Sequence, residues 1–134
     1  MNKTKFNHIG IFSKNIKFAE KELKNFLNIK KTSKTFIDKN LGVKVKFLYD
    51  KDSICYEIVS PYGKKNPVDK VLKEGKNILN HLAYKVKNFD KVIKDLRNQG
   101  FVPLMQPKKA KAFNSRVIFF LSPLKVIIEI VEEN

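Results

Sequence analysis

The chain has 134 residues, 43% of them hydrophobic, enough to bury the core of one domain and too many for a disordered chain. Its net charge of +15 suits a polyanion in principle, but every one of its 28 basic residues except Arg97 and Arg116 is a lysine. The lysines are scattered, and the Arg fork that reads phosphates and bases is nearly missing, so the expectation is a solvated basic surface, with no nucleic acid and no membrane among the partners.

Phe6 to Phe12 reads as a short apolar strand. Asn15 is a candidate N-cap, followed by Ile16, Ala19, Leu23, Phe26 and Leu27 at helical spacing to about residue 28. Lys30 to Asp38 is a weaker strand, and Asp38 to Gly42 carries turn chemistry. Val43, Val45, Phe47 and Tyr49 alternate with other residues, as in a half-buried strand, and Ser53 to Ser60 forms the next strand, stopped by Pro61. Asn66 and Pro67 open a short helix that Gly75 closes. Leu79 to Val86 is again a strand. Asn88 should cap a helix with an apolar face of Phe89, Val92, Ile93 and Leu96, ended by Gly100. Phe101 to Gln106 reads as a strand and Pro107 to Asn114 as a Lys-rich loop; Arg116 to Leu121 and Val126 to Glu132 read as strands.

The second half repeats the first. Asn7-His8-Ile9-Gly10 falls on Asn80-His81-Leu82-Ala83 at an offset of 73, and Tyr56-Glu57-Ile58-Val59 falls on Ile128-Glu129-Ile130-Val131 at an offset of 72. The chain therefore divides into one βαβββ module over residues 1–61, a linker with a short helix over 62–78 and a second βαβββ module over 79–134. The expected fold class is α+β, within one domain.

Each module places one His on its first strand and one Glu on its last. His8 and His81 are the only histidines, and both Glu57 and Glu129 interrupt apolar strands. A carboxylate buried in such a strand is costly unless it is paired or holds a metal. A pseudo-twofold relation would bring two imidazoles and two carboxylates to one point. Such a set suits Zn, Ni, Co, Mn or Fe and leaves positions open for water or substrate. Arg116, Tyr49 and Phe120 are candidate substrate contacts. Cys55 is the only cysteine, which rules out an internal disulfide and fits a reducing, cytoplasmic compartment. No segment reads as a signal peptide or a membrane span.

With these residues in view, the chain resembles the vicinal oxygen chelate superfamily, which includes glyoxalase I, methylmalonyl-CoA epimerase, extradiol dioxygenases and bleomycin-resistance proteins. The stretch Glu57-Ile58-Val59-Ser60-Pro61, then Asn66 to Leu72 and Asn80 to Val86, is similar to the middle of methylmalonyl-CoA epimerases and their glyoxalase-annotated relatives. The resemblance implies a curved, mostly antiparallel eight-stranded sheet around a cleft. It also implies a divalent metal held by His8, Glu57, His81 and Glu129, and a homodimer acting on a small-molecule substrate. The implied activity is that of an isomerase, epimerase or lyase working through a stabilised enolate or enediolate, with Glu129 or Glu57 as the base. A non-catalytic binding protein of the bleomycin-resistance type is the alternative. Phe119-Phe120-Leu121-Ser122-Pro123-Leu124 departs from both enzymes' usual sequence before the last strand, so the substrate does not carry over.

Overall fold

The computed structural model describes residues 4–134, which form ten strands and three helices. In order these are β1 (Thr4–Phe12), α1 (Ile16–Phe26), β2 (Ile29–Thr32), β3 (Phe36–Asp38), β4 (Val43–Asp50) and β5 (Cys55–Pro61). Then come α2 (Val68–Glu74), β6 (Leu79–Val86), α3 (Phe89–Asn98), β7 (Val102–Pro103), β8 (Lys108–Ala110), β9 (Ser115–Leu121) and β10 (Ile127–Glu132). The fold class is mixed α+β, as expected, with ten strands in place of eight. The extra two arise because the stretch read as Lys30 to Asp38 is two strands, β2 and β3, and because the Lys-rich loop contains β8. The strand expected over Phe101 to Gln106 shrinks to β7, where Pro103 and Pro107 leave little backbone able to donate to a ladder.

The chain packs as two compact units, His8–Asn80 and His81–Asn134, the second also taking residues 4–7. In the first unit the strand order is β2-β4-β5-β1, with β3 also on β4. Strands β4 and β5 form an antiparallel hairpin, and β1 joins β5 in parallel with Ile9 beside Tyr56 and Gly10 beside Glu57. The second unit has the order β6-β10-β9-β7, with β8 on β9, and again a parallel pair (β6 with β10) beside an antiparallel one (β10 with β9).

One face of each unit is closed by its helix. Ala19 and Leu23 of α1 pack on Leu48 and Ile58, and Phe89 and Val92 of α3 pack on Val86, Ile118, Phe120 and Ile130. Apart from Ala19, each such side chain stabilises the fold by about 1.5–3 kcal/mol when fully buried. Strand alternation then sends the intervening residues to the opposite face. In the first unit these are His8, Gly10, Phe47 and Glu57, and in the second His81, Ala83, Phe119 and Glu129.

The helix signals differ in how they act. Asn15 caps α1, its Oδ1 accepting the Phe18 amide at 3.0 Å. Asn66 caps α2 from one residue outside Pro67, its Oδ1 accepting the Val68 and Asp69 amides at 2.9 Å each, and Gly75 closes the helix in the left-handed region. Asn88 is not a side-chain cap. It sits at φ 56° with no such bond, and serves as one of the few residue types that tolerate a left-handed turn. Among the described residues no helix is long and apolar enough to cross a membrane.

Candidate metal centre

His8 lies on β1 and Glu57 on β5, and their Nε2 and Oε1 atoms are 3.3 Å apart. His81 on β6 and Glu129 on β10 repeat the arrangement at 3.2 Å. All four residues are buried, with relative exposures of 0% (His8), 5% (Glu57), 3% (His81) and 3% (Glu129). The parallel register explains the contact. Glu57 is registered with Gly10 and Glu129 with Ala83, each two residues beyond its His, so a very small side chain stands where a larger one would separate the pair.

A third member completes each half. Phe47 is opposite Glu57 across the hairpin and meets the His8 ring edge-on, centroids 5.8 Å apart. Phe119 is opposite Glu129 and meets the His81 ring edge-on at 5.0 Å. Edge-to-face contacts of this kind fix ring orientation as well as adding packing energy. These two phenylalanines escaped the sequence reading, although they share the 72-residue offset of the two glutamates.

Imidazole nitrogen and carboxylate oxygen are the donors that zinc and its first-row neighbours take, at about 2.0–2.2 Å. Two such donors on one ion stand roughly 2.9–3.5 Å apart. The two observed separations fall in that range, so each buried His–Glu pair fits two adjacent ligands of a divalent ion.

The candidate substrate contacts divide. Tyr49 lies on the same face of β4 as Phe47, half-buried and opposite Cys55. Burial, with a smaller contribution from Cys55, pushes its hydroxyl up to about 12. Burial, with Glu57 adding to it and Tyr49 opposing, pushes the Cys55 thiol up to about 12 as well. Tyr49 is thus a neutral hydroxyl and Cys55 a neutral thiol at ordinary pH.

Arg116 and Phe120 are on the other face. Phe119 is the β9 residue opposite Glu129, so by alternation 116, 118 and 120 point toward α3. Phe120 is fully buried in the α3 core, its ring edge-on to Phe101 at 6.0 Å. Arg116 donates to Glu132 at 2.8 Å and to Asp90 at 3.1 Å and lies 4.7 Å over the Phe89 ring. It anchors the start of α3, and the bonds to Glu132 and then Asp90 raise its pKa further. The hollow lined by Phe89, Asp90, Arg116 and Glu132 is part of that anchor.

A mixed α+β fold built twice around a buried His–Glu pair defines a class of duplicated modules with a metal-capable centre. The comparisons place it more closely: the sequence model of the glyoxalase/bleomycin resistance protein/dioxygenase superfamily matches residues 7–120, and the chain belongs to that superfamily. No curated protein sequence matches it. Among solved structures, a hypothetical protein from Bacillus halodurans C-125 is similar with a TM-score of 0.84 at 23% identity, covering 98% of this chain and 95% of that one. Methylmalonyl-CoA epimerase from Mycobacterium tuberculosis has a TM-score of 0.79 at 22% identity, covering 96% and 87%. A Streptomyces coelicolor methylmalonyl-CoA epimerase in complex with 2-nitronate-propionyl-CoA has a TM-score of 0.76 at 20% identity, covering 96% and 94%. At these identities the likeness concerns the fold.

Proposed function

We propose that the chain is a divalent-metal-dependent isomerase or epimerase that moves a proton alpha to the carbonyl of a small carbonyl compound or thioester. The observation that carries this reading is the duplicated buried His–Glu pair. In this reading His8, Glu57, His81 and Glu129 hold a single ion, each contributing one buried ligand atom. Two donors from one pair are too few for a stable site, whereas three or four protein ligands are usual. When bound, the ion would supply Lewis acidity to the substrate oxygen that becomes negative on enolisation.

The protein's own residues do the rest. Gly10 and Ala83 leave space beside the carboxylates, Phe47 and Phe119 orient the imidazoles, and the apolar walls exclude water. Glu129 takes the alpha proton as general base, with Glu57 as its counterpart in the other unit. Protonation of the same carbon from the opposite face is epimerisation; protonation of the neighbouring carbon is isomerisation. Membership of the superfamily supports the reading, and so do the epimerase folds that resemble it. The substrate is a small molecule, the assembly a homodimer and the compartment the cytoplasm.

The test is metal content of tag-free protein after chelation and reloading, followed by deuterium exchange into acyl-CoA thioesters and 2-oxoaldehyde hemithioacetals. About one ion per chain, lost in His81→Ala, with solvent deuterium entering one substrate class, is the expected result. Absence of metal under all loading conditions would return the chain to the ligand-binding alternative.

A further inference from the structure

The helices α1 and α3 begin in opposite electrostatic company, although their surroundings correspond residue for residue. At the start of α3, Arg116 of β9 bonds Glu132 of β10 at 2.8 Å and Asp90, the second helical residue, at 3.1 Å. The offsets of 72 and 73 carry this trio onto α1: Arg116 falls on Lys44, Glu132 on Ser60 and Asp90 on Lys17. The register agrees, since Lys44 is paired with Ser60 across β4 and β5, and Lys17 is the second residue of α1. One guanidinium and two carboxylates thus become two ammonium groups and a hydroxyl.

These groups meet within the His8–Asn80 unit. Ile58 packs against Ala19 and Leu23, so Ser60, two residues on, shares the α1-facing side of β5. Lys46 reaches Glu20 at 2.7 Å, and Lys44, two residues earlier on β4, stands a step nearer the start of the helix. Strand β1 ends at Phe12 beside Val59, which brings the start of α1 over the same end of β5.

The polar groups gathered there are donors in want of an acceptor. Ser60 is 3% exposed, and its Oγ has no hydrogen-bond partner among the described residues. Lys17 and Lys44 make no ion pair among those residues, and the first turn of α1 holds no acid. Glu20 is occupied by Lys24 and Lys46. Asn15 accepts the Phe18 amide, which leaves the amides of Ile16 and Lys17, at the positive end of the helix dipole.

We propose that the start of α1 is a binding site for a tetrahedral oxyanion: phosphate, free or as the end group of a small phosphoester. The anion fills the role that the Glu132 and Asp90 carboxylates play beside α3. Lys17 and Lys44 supply charge, while the Ser60 hydroxyl and the Ile16 and Lys17 amides donate to its oxygens. So held, the anion ties α1 to β4 and β5 as Arg116 ties α3 to β9 and β10. The site is on the opposite side of its strands from His8 and Glu57, so it stands or falls apart from the enzyme reading.

Calorimetric titration of the full, metal-stripped chain with inorganic phosphate at constant ionic strength tests this. Saturable binding of one phosphate per chain is expected, with a rise in unfolding temperature. Lys44→Glu should weaken it about tenfold or more, and Ser60→Ala severalfold. Lys44→Gln, which only removes the charge, serves where Lys44→Glu does not fold. Lys94→Glu, the same charge change on the exposed side of α3, should leave binding intact. Combining Lys17→Asp, Lys44→Arg and Ser60→Glu rebuilds the α3 trio; it should abolish phosphate binding and raise the unfolding temperature in its absence. Methyl phosphate separates the sources: competition with phosphate admits a phosphoester end group, and lack of competition restricts the site to the free ion, either of which supports the site. No saturable binding by wild type, equal losses in Lys94→Glu and Lys44→Glu, or undiminished binding in Ser60→Ala or in the rebuilt trio overturns the proposal.

Discussion

The two units agree on three residues and differ on the next three. His8, Phe47 and Glu57 recur as His81, Phe119 and Glu129 with nearly the same separations, 3.3 Å against 3.2 Å between imidazole and carboxylate. Beyond them, Lys31, Tyr49 and Cys55 give way to Val102, Leu121 and Ile127. The difference shows which positions the chemistry constrains. A buried carboxylate must be compensated wherever it occurs, so a duplicated carboxylate needs a duplicated partner. Side chains further along the same strands face no such demand, and the two units are free to line them differently. Each unit thus keeps its own His–Glu pair and lines the rest of that face differently.

The strongest way to break the equivalence is at the carboxylates themselves. Phe119 beside Glu129 is half-buried, whereas Phe47 beside Glu57 is buried, so the ring next to Glu129 is the less enclosed of the two although both carboxylates are buried. Glu129→Gln is therefore expected to lower deuterium exchange by about 10²–10⁴-fold, the range for loss of a general base, and Glu57→Gln by less. Both should leave the far-ultraviolet circular dichroism unchanged. Undiminished exchange in Glu129→Gln would remove it as the base, and a larger loss in Glu57→Gln would move that role to the first unit.

The helix-facing sides of the two sheets give a second comparison, in stability alone. Phe120→Ala should cost about 3–5 kcal/mol and Leu48→Ala about 2–5 kcal/mol, since both side chains are fully buried among core neighbours. Urea unfolding midpoints measure this. A loss below about 1 kcal/mol for Phe120→Ala would mean that its site collapses around the missing ring, or that the ring faces the metal side after all.

That second possibility marks how far the sequence could be read. The fixed offsets of 72 and 73 made the duplicated pattern and the candidates His8, Glu57, His81 and Glu129 legible, because the chain's two histidines and two glutamates set in apolar strands fell at repeated places. The direction of side chains on β9 was not legible. Val117-Ile118-Phe119-Phe120-Leu121 is apolar throughout, since both faces of the strand are covered, and an unbroken apolar run has no alternation to read. Only the register of Phe119 with Glu129 decides the parity, and it turns Arg116 and Phe120 toward α3. The same limit hid Phe47 and Phe119, whose role depends on what lies across the hairpin. Asn88 misled for a different reason: an Asn before a helix serves equally as a side-chain cap or as a left-handed residue, and the sequence does not separate the two.

The caps themselves can be set against each other. Asn15→Ala removes the bond to the Phe18 amide and should destabilise by about 1 kcal/mol. Asn88→Gly, at φ 56° and with no cap bond to lose, should be neutral or slightly stabilising. Thermal unfolding of the two variants beside wild type checks this. Equal losses would mean that Asn88 is held by more than its backbone angle.

The smallest expected effect concerns acid. Glu20 in the first unit is held below its ordinary 4.5 by bonds from Lys24 and then Lys46, and Glu132 in the second is held below 4.5 by Arg116. A carboxyl that is more acidic folded than unfolded stabilises the protein fully above the unfolded value. Below it the unfolded chain binds more protons, so stability falls as pH drops from 4.5 toward each folded value. Lys46→Met and Arg116→Met should each cost about 0.5–1 kcal/mol near neutral pH, as expected of partly exposed ion pairs. They should also flatten the decline of stability below pH 4.5, because the carboxyl they release then titrates alike in both states. Arg116→Met should flatten it more, since Glu132 loses its sole cationic partner among the described residues whereas Glu20 keeps Lys24 at 2.8 Å. Urea unfolding at several pH values between 3 and 7 measures both slopes. An unchanged slope in Arg116→Met would show that Glu132 is held by something other than that guanidinium, and the anchoring of α3 would then have to be sought elsewhere on β9 and β10.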